Sequence, residues 1–223
     1  MKIDFNKYPY PRKIRHHVGT NLYFPLKEMT VKPSYYPPIL DDEDITIYFN
    51  NKKAPDILDI GCGKGKFLLD LSEKYPDKNI IGFEVRMALV EWIQNISKSE
   101  NFGNVWALWY TVVNGLNFLK EDSIEKVFYL FPDPWPKKRQ QNRRLFSVNF
   151  LKDLHRVLKN DGKLFLATDC DYVHEHHLAE LQKSELFKYK QVEKEEWNFP
   201  VTNKESFCIR KEIPIFRLIC EKK

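Results

Sequence analysis

The sequence lacks several features that would define whole classes of protein. No apolar run approaches the ~18 residues that a membrane-spanning helix needs, and residues 1–15 carry charges and prolines where a signal peptide would be apolar. The four cysteines lie far apart and form no CxxC pair, which argues against a zinc cluster and against a disulfide framework. We therefore expect a cytoplasmic protein without a membrane partner.

A metal site is not indicated either. His174, His176 and His177 lie within one short stretch, and His174 and His177 are spaced to share a helical face. The sequence suggests no third ligand for them, whereas protein metal sites need three or four. We therefore expect no metal.

The net charge is only +5, so its distribution along the chain is more informative than its size. Residues 1–32 hold seven basic side chains against Asp4 and Glu28, and residues 137–144 (KKRQQNRR) hold five and no acid. Local positive potential attracts polyanions, of which RNA and DNA are the commonest. A nucleic-acid partner is one interpretation of these segments, and a solvated basic face without a partner is the other.

Apolar runs and apolar residues at helical spacing alternate from residue 55 onward. This alternation predicts an α/β fold with a mostly parallel sheet and helices on both faces, which binds ligands at the carboxyl ends of its strands. We divide the chain into an irregular, basic extension (1–50) and one domain (51–223). The predicted strands are 56–60, 79–84, 105–108, 126–131, 163–168 and 213–220. The predicted helices are 64–75, 86–97, 116–119, 145–159 and 171–183, with Asn160, Asp161 and Gly162 as a left-handed cap after the fourth.

A glycine loop, Asp59-Ile60-Gly61-Cys62-Gly63-Lys64-Gly65, joins the first strand to the first helix. Glycines let the chain turn sharply and let a ligand approach the backbone. Asp59 suits a cationic ligand and would repel a pyrophosphate, and the spacing departs from G-x-G-x-x-G. Glu84, at the end of the second strand, is placed to accept both hydroxyls of a ribose. These features are typical of class I methyltransferases that use S-adenosylmethionine (SAM), although an NAD enzyme stays open.

The fourth strand leads directly into Phe131-Pro132-Asp133-Pro134-Trp135-Pro136 and then into the basic segment. Three prolines in five residues hold the backbone rigid. A carboxylate, an aromatic ring and phosphate-binding charge thus share one loop at the predicted carboxyl edge. A stiffened strand exit followed by a solvated charge run is the alternative interpretation.

Five segments of the sequence carry a resemblance to a known family. They are FPDPWPKKR with its basic tail, DIGCGKGKFL, GFEV, Ala167-Thr168-Asp169 and Thr202-Asn203-Lys204-Glu205. Together they resemble the tRNA (guanine-N7-)-methyltransferase family of bacterial type. The resemblance runs in order from about residue 55 to the end. It implies methyl transfer from SAM to N7 of a guanine in the tRNA variable loop. The sequence does not give the oligomeric state, and monomer and homodimer both stay open.

The resemblance and the chemistry of the residues together suggest roles for individual residues. Asp133 is the expected catalytic residue. The expected SAM contacts are Asp59, Gly61, Gly63, Glu84, Asn114 and Asp133. The expected substrate contacts are Lys137, Asp169, Thr202, Asn203, Lys204 and Glu205, and the expected RNA phosphate contacts are Lys138, Arg139, Arg143 and Arg144. The family often has Asp in place of Asn114 and Phe in place of Lys204.

The reaction chemistry agrees with the residues present. Guanine N7 has a lone pair and no proton, so no general base is required, and the sequence suggests no Ser/His/Asp or Cys/His constellation. Asp133 or Asp169 would stabilise the charge that develops on the guanine, and Glu205 or Asp169 would accept from its N1 and N2 donors. A SAM-dependent methyltransferase acting on another RNA or on a protein is one alternative, and a non-catalytic RNA-binding protein is another.

Overall fold

The structure, a computed structural model, describes residues 3–4, 6–11, 14, 18–41 and 43–223. Four of the seven basic residues of the first 32, namely Lys2, Arg12, Lys13 and Arg15, lie outside these described residues. The chain divides into two compact units, Met1–Asn114 and Gly115–Lys223. The extension and the first three strands belong to the same unit, so this division falls elsewhere than the boundary expected after residue 50.

The first unit contains three parallel strands and two helices. The strands are β1 (Ile57–Ile60), β2 (Ile80–Glu84) and β3 (Val105–Trp109), in the spatial order β3-β2-β1. The helices are α1 (Lys66–Lys74) and α2 (Met87–Ser99). Every residue of β1 and β2 is buried, as the continuous apolar runs predict for strands covered on both faces. Parallel pairing sets Asp59 beside Gly82 and brings the carboxyl ends of the strands to one edge.

The extension packs against this unit with short 3-10 helices at Thr20–Tyr23, Leu26–Glu28 and Ile45–Tyr48. Tyr36 and Phe49 are each 1 % exposed. The hydroxyl of Thr111, just beyond β3, donates to the carbonyl of Leu22 at 2.9 Å. The described part of the extension therefore contributes to the hydrophobic core.

The second unit contains four strands in the order β4-β5-β7-β6. They are β4 (Ile124–Leu130), β5 (Leu158–Thr168), β6 (Phe187–Gln191) and β7 (Phe216–Lys222). Its helices are α3 (Val148–Val157), α4 (Asp171–Ser184) and α5 (Asn203–Arg210). β4 and β5 are parallel, whereas β7 pairs antiparallel with β5 and β6. When the pairs of both units are taken together, β1–β2, β2–β3 and β4–β5 are parallel and the two pairs of β7 are antiparallel. The strands are therefore mostly parallel, which confirms the predicted fold class.

Some predicted elements differ from the structure. Residues 116–119 form no helix. The left-handed cap predicted at 160–162 is wrong, because α3 ends at Val157 and Leu158 already has extended dihedral angles at the start of β5. Gly162 serves a close backbone approach instead: a Cβ there would lie 2.9 Å from the carbonyl oxygens of Ile124 and Lys159.

Two elements of the second unit were not predicted, β6 and α5. In β6 only Phe187 is buried, so this edge strand has no apolar run that would reveal it. Helix α5 is short and mostly polar, and only Glu205 and Cys208 are buried. Within the described ranges, none of the helices combines the length and the apolar character needed to cross a bilayer.

Candidate active site

Asp59 lies at the carboxyl end of β1 and is 3 % exposed. Its Oδ2 atom is buried and has no hydrogen-bond partner in the part of the chain that the structure describes. Burial, and secondarily the nearby charge of Glu84, raise the pKa of Asp59 to about 7. A buried carboxylate with an unused acceptor is suited to a cationic group such as an ammonium, which would return it to the ionised form.

The glycine loop follows directly and turns the chain into α1. Gly61, Gly63 and Gly65 all have positive φ, at 78°, 56° and 70°, a region that side chains with a Cβ rarely adopt. At Gly65 a Cβ would also lie 2.5 Å from Cγ1 of Ile93. The glycines thus serve backbone geometry as well as the approach of a ligand.

Glu84 ends β2 and is 4 % exposed. Its carboxylate accepts from the backbone N–H of Gly63 at 3.0 Å and from the backbone N–H, Nε and Nη2 of Arg86 at 2.9, 2.9 and 2.8 Å. These four donors match the roughly four acceptor positions of a carboxylate. A ribose diol at Glu84 would therefore compete with the Arg86 side chain, a partner that sequence reasoning missed.

Asn114 closes the first unit, within the 3-10 turn Val112–Asn114. Its Oδ1 atom accepts from the backbone N–H of Leu26 at 2.9 Å and from the hydroxyl of Tyr36 at 3.2 Å. Its Nδ2 atom is buried, and none of the described residues provides a hydrogen-bond partner for it. Two expected SAM contacts of the first unit, Asp59 and Asn114, thus each carry an unsatisfied buried polar atom.

The loop after β4 presents Asp133 at the surface. It is flanked by Phe131 and Trp135, whose φ angles of 50° and 43° are unusual for residues other than glycine. Strained backbone of this kind clusters at functional sites. The loop is fixed at one end because the backbone N–H of Phe131 donates to the carbonyl of Ala167 at 2.7 Å.

The basic segment divides into two groups. Lys137, Lys138 and Arg139 are exposed. Arg143 and Arg144 are half-buried and contact aromatic rings: the Arg143 guanidinium lies 4.9 Å from the centre of the Trp135 ring, and that of Arg144 lies 5.7 Å from the Tyr172 ring. Arg144 also donates to the Trp135 carbonyl at 3.2 Å. One face of Trp135 is thus stacked on Arg143.

Asp169, directly after β5, forms a 2.7 Å ion pair with Lys204. Lys204 is the position where the family pattern commonly has Phe. The structure therefore gives this lysine a definite partner, a predicted substrate residue. The Sγ atom of Cys170 lies 3.9 Å from Oδ1 of the same carboxylate.

Thr202 and Glu205 are brought together at the start of α5. The Thr202 hydroxyl accepts from the backbone N–H of Glu205 at 2.9 Å, which caps the helix. Glu205, 2 % exposed, accepts from Arg217 at 2.9 Å and from Lys194 at 3.0 Å, both at Oε1. Asn203 is exposed on the first turn.

Arg217 was also missed from the sequence. It lies in β7, opposite Ala167 of β5, and is 6 % exposed. The signal was present, since an arginine within the apolar run Ile215-Phe216-Arg217-Leu218-Ile219 must find a buried partner. Among the described residues, no group of acidic, histidine and cysteine side chains is arranged to hold a metal ion.

The model of a family described as "Putative methyltransferase" matches residues 53–218. A tRNA (guanine-N(7)-)-methyltransferase of Mycoplasma genitalium is 34 % identical over 194 residues, which cover 83 % of this chain and 91 % of that protein. This chain belongs to the tRNA (guanine-N7-)-methyltransferase family. The family member from Thermotoga maritima is 37 % identical over 162 residues, 72 % of this chain. The match spans only 50 % of that relative's length.

Solved structures agree on the fold. The 16S rRNA methyltransferase KamB superimposes with a TM-score of 0.55 at 15 % identity, covering 80 % of this chain and 91 % of that one. A SAM-dependent methyltransferase from Aquifex aeolicus gives 0.53 at 16 % identity, covering 82 % and 95 %. The resemblance, the class I methyltransferase fold and the assignment as a SAM-dependent enzyme of the tRNA (guanine-N7-)-methyltransferase family are thereby confirmed.

The raised pKa of Asp59 makes stability depend on pH. Between the ordinary pKa of 3.8 and about 7 the folded chain holds a proton that the unfolded chain has released. The free energy of unfolding therefore falls by up to about 1.4 kcal/mol per pH unit as pH rises through this window. Asp59→Asn should remove this contribution. The free energy of unfolding of the variant minus that of the wild type, measured with urea, should therefore increase from pH 4.5 to 6.5. A difference independent of pH would contradict the raised pKa.

The buried pair of Glu205 and Arg217 predicts a contrast between two basic residues. Arg217→Met should lower the free energy of unfolding by about 3 kcal/mol, because it leaves a buried carboxylate short of its buried partner. Lys194→Met is the matched control: its side chain is 42 % exposed, so the decrease should stay below about 1 kcal/mol. Equal decreases in urea unfolding would show that Arg217 has no special role.

Proposed function

We propose that this chain transfers a methyl group from SAM to N7 of a guanine in tRNA, and that the target is guanine 46 in the variable loop. The observation that carries the proposal is the loop after β4, where exposed Asp133 is held between two residues of positive φ and is followed at once by Lys137, Lys138 and Arg139. A carboxylate and a phosphate-binding surface thus lie on one rigid segment. The expected cytoplasmic location goes with a tRNA substrate and stays a prediction.

The residues of the first unit fit the cofactor. SAM has an ammonium and a carboxylate on its methionine part, a ribose diol and an adenine. Among the described residues, Asp59 Oδ2 and Asn114 Nδ2 have no hydrogen-bond partner, and they suit the ammonium and an acceptor on the adenine. Glu84 would bind the diol in place of the Arg86 side chain that it now holds. The positive-φ backbone at Gly61 and Gly63 allows the cofactor to approach the chain. When bound, SAM supplies the electrophilic methyl group on its sulfonium.

The chain's own contribution to the reaction is positioning and electrostatics. The N7 lone pair attacks without losing a proton, so the new N–C bond forms as the S–C bond breaks and no residue removes a proton. The guanine gains positive charge as this happens. Asp133, and Asp169 within its ion pair to Lys204, are the carboxylates available to stabilise that charge.

Guanine selection falls to α5 and its neighbours. Glu205 is held by Arg217 and Lys194 through Oε1, which orients the carboxylate. Its second oxygen is suited to accept from the N1 and N2 donors of guanine, a pair that adenine lacks. Thr202 caps the same helix turn and so supports Glu205 indirectly.

Asp133→Ala should lower kcat/KM for tRNA methylation by about 10²–10³-fold, the decrease typical when one preorganised electrostatic group is removed. The measurement is transfer of labelled methyl from SAM to tRNA, followed by nucleoside analysis for 7-methylguanosine. Asp161→Ala, an exposed carboxylate in β5, is the matched control and should be unchanged. Near-normal turnover of Asp133→Ala would remove Asp133 from the mechanism. Methylation of another nucleoside, or of protein only, would favour a different substrate.

The basic segment predicts the salt dependence of tRNA binding. Replacing exposed Lys138 and Arg139 by alanine should reduce the slope of log Kd against log salt by roughly 1 for each phosphate that these side chains neutralise. Replacing Arg143 and Arg144 should weaken binding and also lower kcat, because these side chains hold Trp135. A double variant of exposed Lys183 and Lys188 is the control. If the slope of log Kd against log salt is unchanged in both the Lys138/Arg139 and the Arg143/Arg144 double variants, the basic segment faces solvent and does not contact tRNA phosphates.

A further inference from the structure

The orientation of the Asn114 amide is fixed by the N-terminal extension. The backbone N–H of Leu26 lies 2.9 Å from one end of the amide, and a backbone N–H can only donate. The amide oxygen must therefore face Leu26, because the NH₂ group there would set donor against donor. The Tyr36 hydroxyl lies 3.2 Å from the same oxygen and 2.8 Å from the carbonyl of Phe24, so its single proton is shared between these two acceptors.

The opposite end of the amide is consequently the Nδ2 donor. This atom is buried and has no hydrogen-bond partner among the described residues. A buried donor without a partner is unfavourable, and each such group in a native structure requires an explanation. The missing partner must be a hydrogen-bond acceptor.

The same part of the extension forms one wall of a cavity of about 600 Å³. Gly19, Leu22 and Tyr35 line it from the extension, and Val85 and Trp109, from the carboxyl ends of β2 and β3, line it from the other side. A volume of this size is within the range of small-molecule sites. The extension therefore forms one side of a cavity next to β2, the strand that ends in Glu84.

We propose that Tyr36 and the backbone N–H of Leu26 are positioning groups for cofactor binding, which hold Asn114 so that its Nδ2 donates to a ring nitrogen of the adenine. This inference rests on the proposed use of SAM. Adenine has acceptors at N1, N3 and N7 and a donor at its 6-amino group. The oxygen of the Asn114 amide is directed at Leu26 and not at the cofactor. Asn114 can therefore donate to a ring nitrogen of the adenine but cannot accept from its 6-amino group.

The test is calorimetric binding of S-adenosylhomocysteine to the full chain. Asn114→Asp keeps the oxygen that Leu26 and Tyr36 contact but replaces the Nδ2 donor by a second oxygen, so binding should weaken at least about tenfold, the effect of removing one good hydrogen bond. An amide that accepted from the 6-amino group would instead be replaced by Asp without any decrease in affinity. Undiminished binding by Asn114→Asp would therefore overturn the inference.

Tyr36→Phe tests the positioning role, since it keeps the buried ring and removes only the hydroxyl. It should weaken binding several-fold in the wild-type background and have no effect in an Asn114→Ala background, which a merely structural role would not produce. Tyr48→Phe is the control in the same extension, since the Tyr48 hydroxyl donates to Glu43. Equal effects of Tyr36→Phe in both backgrounds would contradict positioning through Asn114.

An analogue of S-adenosylhomocysteine without the 6-amino group distinguishes further between an Asn114 that donates to a ring nitrogen and an Asn114 that accepts from the amino group. It should bind the wild-type chain more tightly than the 1-deaza, 3-deaza or 7-deaza analogue that lacks the nitrogen Asn114 contacts. If the wild-type chain binds S-adenosylhomocysteine but none of the three deaza analogues is weaker than the des-amino one, only this inference fails. If the wild-type chain does not bind S-adenosylhomocysteine, the proposed function fails with it.

Discussion

A carboxylate taken out of water without a full set of partners disfavours the folded state unless a cation or donor arrives. Asp59 is in this condition, buried at the end of β1 with one oxygen unpartnered and with the charge of Glu84 nearby. The strands around it keep it buried, because every residue of β1 and β2 is buried. The first unit thus retains an unfavourable interaction that a bound ammonium would relieve.

The second unit shows the opposite arrangement. Its expected substrate residues already have partners: Asp169 pairs with Lys204, and Glu205 pairs with Arg217 and Lys194. These contacts hold carboxylates in fixed orientations, which is what recognition of a base edge requires. In the basic segment, Arg143 and Arg144 likewise have partners, because both contact Trp135. Lys137, Lys138 and Arg139 are exposed.

The parts of the fold that local pattern determines could be predicted from the sequence. Ile57–Ile60 and Ile80–Glu84 are short, mostly apolar runs with an acidic residue at or next to the end, and both form strands as expected. Edge strand β6 has alternating lysines and one buried residue, so its pairing with β7 depends on tertiary contacts that the local sequence does not show. The helix cap predicted at Gly162 was wrong for a similar reason. This position lacks a side chain because the backbone of a neighbouring strand lies close to it, and not because a helix ends there.

The candidate site divides in the same way. Its motif residues were identified from the sequence, but their partners were not, because Tyr36 lies 78 residues from Asn114 and Arg217 lies 12 residues beyond Glu205 in a separate element. Burial also escaped prediction: a sequence does not show that one oxygen of Asp59 lacks a partner. These partners convert a list of polar residues into defined donors and acceptors.

The central claim concerns the protonation of Asp59 and is tested most directly by proton release on cofactor binding. SAM is titrated into the chain at pH 6 in buffers of different ionisation enthalpy, so that calorimetry counts the protons released. With a pKa of about 7 before binding, Asp59 is mostly protonated at pH 6, and an arriving ammonium should expel close to one proton. Binding without proton release at pH 6, or no binding at all, would contradict the account.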